Sequence, residues 1–162
     1  MMSLKYVPED TQVALREVPD EISISINFSN CPHRCPGCHS EYLQGDCGEE
    51  FTFDVLDEII NKNKGISCLC FFGGDSDHEF LKALFRYSKS TYPSLSVAWY
   101  TGDSSVDESL YENLDYIKIG PYIENMGPLN SKTTNQRFYR IERKGGNLNL
   151  IDETYKFFKN DV

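Results

Sequence analysis

The chain is poor in basic residues: 16 lysines and arginines stand against 25 aspartates and glutamates, a formal net charge of −9. A nucleic-acid binder needs a cationic footprint to displace counterions from phosphates, so that class is excluded. The basic residues are scattered; the densest group, Arg140, Arg143 and Lys144, reads as a solvated strand end. No apolar run approaches the roughly 20 residues that cross a bilayer as a helix, which excludes a membrane protein of that kind. Residues 1–10 are mixed and charged rather than an apolar leader. Six cysteines in 162 residues are too few for the disulfide framework of a small secreted scaffold. Free thiols without a secretory signal point to a reducing cytoplasm. No repeat, low-complexity stretch or linker divides the chain, and its length suits a single domain over 1–162.

What is present is a repeated alternation of strand and helix signals. Residues 22–28, Ile-Ser-Ile-Ser-Ile-Asn-Phe, alternate as a strand does. A helix is expected over 53–63, with Val55, Leu56, Ile59 and Ile60 on one apolar face and Gly65 as its stop. Residues 66–72 read as a buried strand ending in Gly73-Gly74-Asp75. A second helix follows, with a capping box of Ser76 and Glu79, an apolar face of Phe80, Leu81, Leu84 and Phe85, and an exit at Pro93. Strand 95–100 ends at Tyr100-Thr101-Gly102, and a box of Ser105 and Glu108 opens a short helix. Strand 116–119 ends at Gly120-Pro121. Residues 122–136 are loop-like; a hairpin across Gly145-Gly146-Asn147 and a final amphipathic helix through Tyr155, Phe157 and Phe158 complete 138–162. Residues 4–18 add a lead-in or an edge strand.

Such alternation implies parallel strands joined by crossovers, an α/β fold. About four parallel strands are too few for a closed eight-fold barrel, so a partial (β/α) barrel or open curved, mostly parallel sheet is expected. The unusual residues all follow carboxyl ends of strands, the edge where parallel α/β folds bind ligands.

The chemistry concentrates in residues 30–39, Asn-Cys-Pro-His-Arg-Cys-Pro-Gly-Cys-His. Cys31, Cys35 and Cys38 are spaced C-x3-C-x2-C. Four cysteines saturate an ordinary iron–sulfur cluster or structural zinc, whereas three leave one metal atom open to a substrate or cofactor. That vacancy points to a catalyst. Zinc would need a fourth ligand from His33, His39, Cys47 or the Cys68/Cys70 pair, and zinc usually takes two separated pairs, so iron–sulfur is favoured. Pro32, Pro36 and Gly37 suit a loop folded closely around an inorganic core. Cys68 and Cys70 are two apart on an expected strand and share a face. With Cys47 they read as buried free thiols.

With this motif placed after a first strand, the chain resembles the radical S-adenosylmethionine superfamily. The resemblance implies a [4Fe–4S] cluster on Cys31, Cys35 and Cys38, with S-adenosyl-L-methionine on the fourth iron. It implies cofactor contacts from Gly73, Gly74 and Asp75, and from Tyr100 and Thr101 at the end of the third strand. Within the superfamily the chain is most similar to the activating proteins of anaerobic (class III) ribonucleoside-triphosphate reductases. Cys35-Pro36-Gly37-Cys38, Gly73-Gly74-Asp75, Gly120-Pro121 and Asn135-Gln136-Arg137 carry that likeness, over about residues 22–140. Gly37 stands where many superfamily members have an aromatic residue, and Ser40 where many glycyl-radical activases have Asn.

The implied reaction is reductive cleavage of S-adenosylmethionine to a 5′-deoxyadenosyl radical, which generates a glycyl radical on the partner reductase subunit. An electron donor such as flavodoxin is implied. No acid–base pair is required, so His33, His39 and His78 are read as loop or surface residues. The stretch 122–137 would help to dock the partner. Two other readings stand beside this one: a small-molecule radical enzyme resembling the short deazaguanine-forming synthases, and a non-catalytic zinc or iron–sulfur binding module.

Overall fold

A computed structural model of the chain describes residues 4–15, 17–29 and 48–158. Nine strands form among the described residues: β1 (Leu4–Tyr6), β2 (Gln12–Ala14), β3 (Ser23–Asn27), β4 (Glu49–Phe51), β5 (Cys68–Phe72), β6 (Ser96–Tyr100), β7 (Tyr116–Ile119), β8 (Arg137–Lys144) and β9 (Asn147–Asp152). The helices are α1 (Phe53–Lys62), α2 (His78–Thr91) and the single-turn α3 (Glu108–Tyr111). Strands β2-β3-β5-β6-β7-β8-β9 make one seven-stranded sheet in that order, and β1 pairs with β4 apart from it.

Strands β3, β5, β6 and β7 are parallel, while β2, β8 and β9 add antiparallel edges. The strand order does not return on itself, so the sheet is open, as the alternation of elements implied. Among the described residues, no helix is long and apolar enough to cross a membrane.

Both faces of the four parallel strands are largely buried, and parity assigns each side chain to a face. Leu69, Phe71, Val97, Trp99 and Ile117 join the core with Leu56, Leu81, Leu84 and Phe85 of α1 and α2. Cys68, Cys70 and Ala98 fall in a second core with Val18 and Phe138, against which Phe72, Tyr100, Tyr116 and Phe157 pack. Register is what matters for function. Asn27 lies opposite Phe72, Phe72 opposite Tyr100, and Tyr100 opposite Lys118. The four parallel strands therefore end in one row.

The helix starts differ from the sequence expectation in a physically clear way. Helix α2 is capped by Asp77, whose Oδ1 accepts from the Phe80 amide at 3.0 Å. Ser76 is not the cap. Likewise Asp107, not Ser105, caps α3 by accepting from the Ser109 amide at 2.8 Å. In each case an aspartate stands between the serine and the helix, and its carboxylate takes the free amide. The hairpin turn is Gly145-Gly146, with φ of 57° and 82° and Lys144 paired to Asn147. Two positive φ values fit the two-residue turns whose twist matches the strands. The expected terminal helix is a single 3-10 turn, Thr154–Phe157. The Thr154 hydroxyl accepts from the Phe138 amide at 2.9 Å, which ties this turn to β8.

On the outer layer, Asp57 of α1 accepts from two tyrosine hydroxyls of the α2 segment, Tyr87 at 2.8 Å and Tyr92 at 2.5 Å. Burial, with the Asp57 carboxylate beside it, pushes the Tyr92 hydroxyl up to about 12. The folded value lies above the unfolded one of about 10. Its contribution to stability is therefore intact below about pH 10 and lost as pH rises toward 12. Asp57→Asn should lower the Tyr92 pKa in a tyrosinate absorbance titration and reduce the melting midpoint by on the order of 2–4 °C. An unchanged titration would show that burial alone sets it.

Candidate metal and cofactor site

The row of strand ends brings together the Gly73-Gly74-Asp75, Tyr100-Thr101 and Gly120-Pro121 segments. Beyond β3 the chain continues through Phe28 and Ser29, and the Phe28 amide donates to Phe72 O at 2.9 Å, extending the pairing with β5. The cysteine motif starts two residues later. Cys31, Cys35 and Cys38, together with His33, Gly37, His39, Ser40 and Cys47, lie outside the described residues.

Beside Phe28, β5 ends in the glycine turn. The Gly73 amide donates to Tyr100 O at 2.9 Å, and Gly73 O accepts the Trp99 indole N–H at 2.7 Å. Both Gly73 and Gly74 have positive φ, 84° and 85°, a conformation that side chains disfavour. The two glycines then differ. A Cβ on Gly74 would meet Leu81 Cδ2 at 2.9 Å, Leu4 Cδ1 at 3.1 Å and Phe28 Cδ2 at 3.2 Å, so Gly74 is required by packing within the protein. At Gly73 the nearest atom would be Phe28 O at 3.4 Å, an ordinary contact. Among the described residues, packing therefore requires a glycine at 74 more strictly than at 73.

Asp75 is turned under this edge, its side chain 2% exposed. It accepts a short hydrogen bond from the Thr101 hydroxyl. His78 Nε2 lies 3.4 Å from Asp75 Oδ1 and 3.6 Å from Asp103 Oδ2. The Asp103 amide donates to Thr101 Oγ1 at 3.1 Å. Asp75 and Thr101, singled out separately in the sequence, are thus brought into direct contact. Tyr100 contributes its carbonyl to this edge, but its ring packs into the second core beside Phe72. Its hydroxyl donates to Glu17 O, and burial holds its pKa well above the ordinary value.

Three residues were missed by sequence reasoning. His78 and Asp103 join Asp75 in a cluster whose potential ligand atoms lie within 4.8 Å of one another. Only the parallel register brings 103 beside 75, and no local pattern announces it. Lys118 is 8% exposed, with Nζ donating to Thr101 O and Gly120 O, each at 3.0 Å. A lysine inside the buried strand Tyr-Ile-Lys-Ile was the available signal. Next to it, Gln136 Nε2 donates to Gly120 O at 3.3 Å and Asn135 Nδ2 to Pro121 O at 3.0 Å. Among the described residues, the buried Asn135 Oδ1 atom meets no hydrogen-bond partner.

The donor chemistry of the thiols can be tested directly. Metal ligation needs thiolates. Burial pushes the Cys68 thiol up to about 12 and Cys70 well above its ordinary value. Both sit in the apolar second core. They do not fit a cluster. The remaining donors are Cys31, Cys35, Cys38 and Cys47, of which the first three form the compact motif.

The family model described as "4Fe-4S single cluster domain" matches residues 22–141. No curated protein and no solved structure matches the chain.

Thr101→Val removes the donor to the buried Asp75 carboxylate and should destabilise the fold by about 1–3 kcal/mol, with Thr101→Ser restoring most of the loss. Chemical denaturation measures both, and equal stability of the valine variant would show that the contact contributes nothing. Iodoacetamide at pH 8 should leave Cys68 and Cys70 unmodified in the folded protein, because alkylation follows the thiolate fraction. Peptide mass mapping reads this, and rapid native labelling at either position would contradict their placement.

Proposed function

The chain belongs to the 4Fe-4S single cluster domain family, and from that premise we propose that it is a radical S-adenosylmethionine activase for a glycyl-radical ribonucleotide reductase. The observation that carries this reading is the C-x3-C-x2-C triplet, beginning two residues beyond Ser29 at the edge where β3, β5, β6 and β7 end together. Three thiolates from Cys31, Cys35 and Cys38 would hold the cluster and leave one iron for the amino and carboxylate groups of S-adenosylmethionine. When bound, the cluster supplies the single electron that cleaves S-adenosylmethionine to methionine and a 5′-deoxyadenosyl radical, which takes a hydrogen atom from a backbone glycine of the partner.

The chain's own residues have the task of positioning. Gly73 leaves space beside the sheet edge for the cofactor's methionine portion. Asp75, fixed by Thr101, keeps a carboxylate at that edge, where it would accept a hydrogen bond from the cofactor's amino group. No proton transfer is assigned to His78, since hydrogen-atom transfer needs no acid–base pair. The electron donor is a small redox protein of the flavodoxin type, and the reductase's glycine loop completes a site that this short chain leaves open to it.

The test is anaerobic reconstitution with iron and sulfide, then reduction by dithionite. Charge-transfer absorbance near 400 nm and 5′-deoxyadenosine from S-adenosylmethionine are expected. Absence of either removes the catalytic reading and leaves a binding module. Co-expression with a class III reductase should give a glycyl-radical doublet in electron paramagnetic resonance; cleavage without that doublet removes only the activase assignment. Cys35→Ala should lose the absorbance and the cleavage together, and full retention would remove Cys35 from the ligand set.

A further inference from the structure

The segment 30–47, which carries the cysteine triplet, leaves the described chain after Ser29 and rejoins it at Gly48. Both junctions lie against the same short strand, β1. On one side, the Ser29 amide donates to Lys5 O at 2.9 Å and the Val7 amide to Asn27 O at 3.0 Å. Tyr6 and Phe28 form the antiparallel bridge between these bonds. On the other side, Leu4, Lys5 and Tyr6 pair with Phe51, Glu50 and Glu49 of β4. Strand β1 therefore fills the space between the outgoing and returning arms. Two ladder spacings set those arms roughly 10 Å apart.

Gly48 makes the return possible. Its φ is +91°, and a Cβ there would lie 2.1 Å from Tyr6 O and 2.7 Å from the Tyr6 carbonyl carbon. Those are backbone atoms and cannot rotate aside. The same strand also reaches the glycine turn, since Leu4 Cδ1 is one of the atoms that a Cβ on Gly74 would meet. Beneath it, the rings of Tyr6 and Phe28 pack edge-on against Phe51, with centroids at 5.2 and 5.3 Å. The family match begins at residue 22, so β1 lies outside it.

We propose that β1 is a positioning clamp for the cluster-bearing segment: the backbone of residues 5–7 fixes the separation of Ser29 and Gly48, and thereby how firmly the segment retains its cluster. This rests on the reading of Cys31, Cys35 and Cys38 as ligands. A ligand set on one loop is preorganised by whatever fixes the ends of that loop, because tethered ends remove chain conformations that would separate the thiolates.

The test compares Gly48→Ala with Gly65→Ala. Gly65 has a similar φ of +101° but nothing within 4 Å of its would-be Cβ, so it controls for backbone strain alone. After anaerobic reconstitution, iron release to a ferrous chelator should be about tenfold faster in Gly48→Ala, while Gly65→Ala matches wild type. Equal release from all three proteins, or equally fast release from both variants, overturns the clamp. If wild type takes up no iron, the ligand reading fails, and the clamp is judged by hydrogen exchange on the apoprotein. The Ser29 and Val7 amides should then be protected in wild type and exchange about tenfold faster in Gly48→Ala. Unchanged exchange overturns the clamp independently of the cluster. Should Gly48→Ala fail to fold, Val7→Pro removes the bond to Asn27 O and should speed both iron release and Ser29 exchange; unaltered rates would overturn it.

Discussion

The backbone of Gly73 is the joint on which the carboxyl edge depends. Its amide is given to β6 at Tyr100 O and its carbonyl accepts the Trp99 indole, while one residue earlier Phe72 O receives the Phe28 amide. Three neighbouring strand ends are thus hydrogen-bonded across two successive residues. The positive φ values at 73 and 74 then turn the chain sharply enough to carry Asp75 back under the edge to Thr101. A chain leaving β5 in extended conformation would project residue 75 beyond the sheet. The contact between the two polar strand ends is therefore a consequence of backbone geometry, to which the side chains are fitted.

Where each element is self-sufficient, its sequence announced it. Strand β5 is a run of apolar residues closed by two glycines, and β3 alternates serine and isoleucine, so type and face were both legible. The iron–sulfur chemistry was legible for the same reason, since one short motif contains the whole triplet. What could not be read is whatever depends on partners distant in the chain. Asp103 meets His78 only through the register of β5 with β6, and β4 has three residues with no periodic signal of its own. The double use of Tyr100, carbonyl toward the edge and ring into the second core, follows from strand parity, which a sequence motif does not distinguish. At the helix starts two acceptors compete within two residues, and the sequence does not say which carboxylate or hydroxyl reaches the free amide.

Lys118, Gln136 and Asn135 give the Gly120-Pro121 and Asn135-Gln136 segments a structural role. A buried ammonium is costly unless it is hydrogen-bonded, and carbonyls at the ends of β6 and β7 accept from this one. Gly120 O is shared between Lys118 and Gln136, and Asn135 holds Pro121 O. A Cβ on Gly120 would lie 3.2 Å from Gln136 Cα, so the close approach of the two segments needs a glycine there. Asn135 and Gln136 therefore fasten the start of β8 to the end of β7. The intervening residues 122–134 are held at both ends, beside the carboxyl ends of β6 and β7.

The matched segment and the physical unit do not coincide. Residues 22–141 contain the parallel strands and most of β8, but neither edge strand of the sheet nor β1. A sheet buried on both faces still leaves its outermost backbone groups unpaired unless something covers them. Here β2 covers β3, and β9 covers β8 along six residue pairs. Such covering needs only backbone complementarity, so many sequences can supply it and little similarity is required there. Strand β1 is different. It pairs on both sides at once, next to the junctions of the cysteine segment and the glycine turn. No residue of β1 belongs to a motif, yet its backbone ties Ser29 on one side and residues 48–51 on the other. It is backbone spacing, which leaves almost no trace in a sequence, that joins β1 to the described ends on either side of residues 30–47.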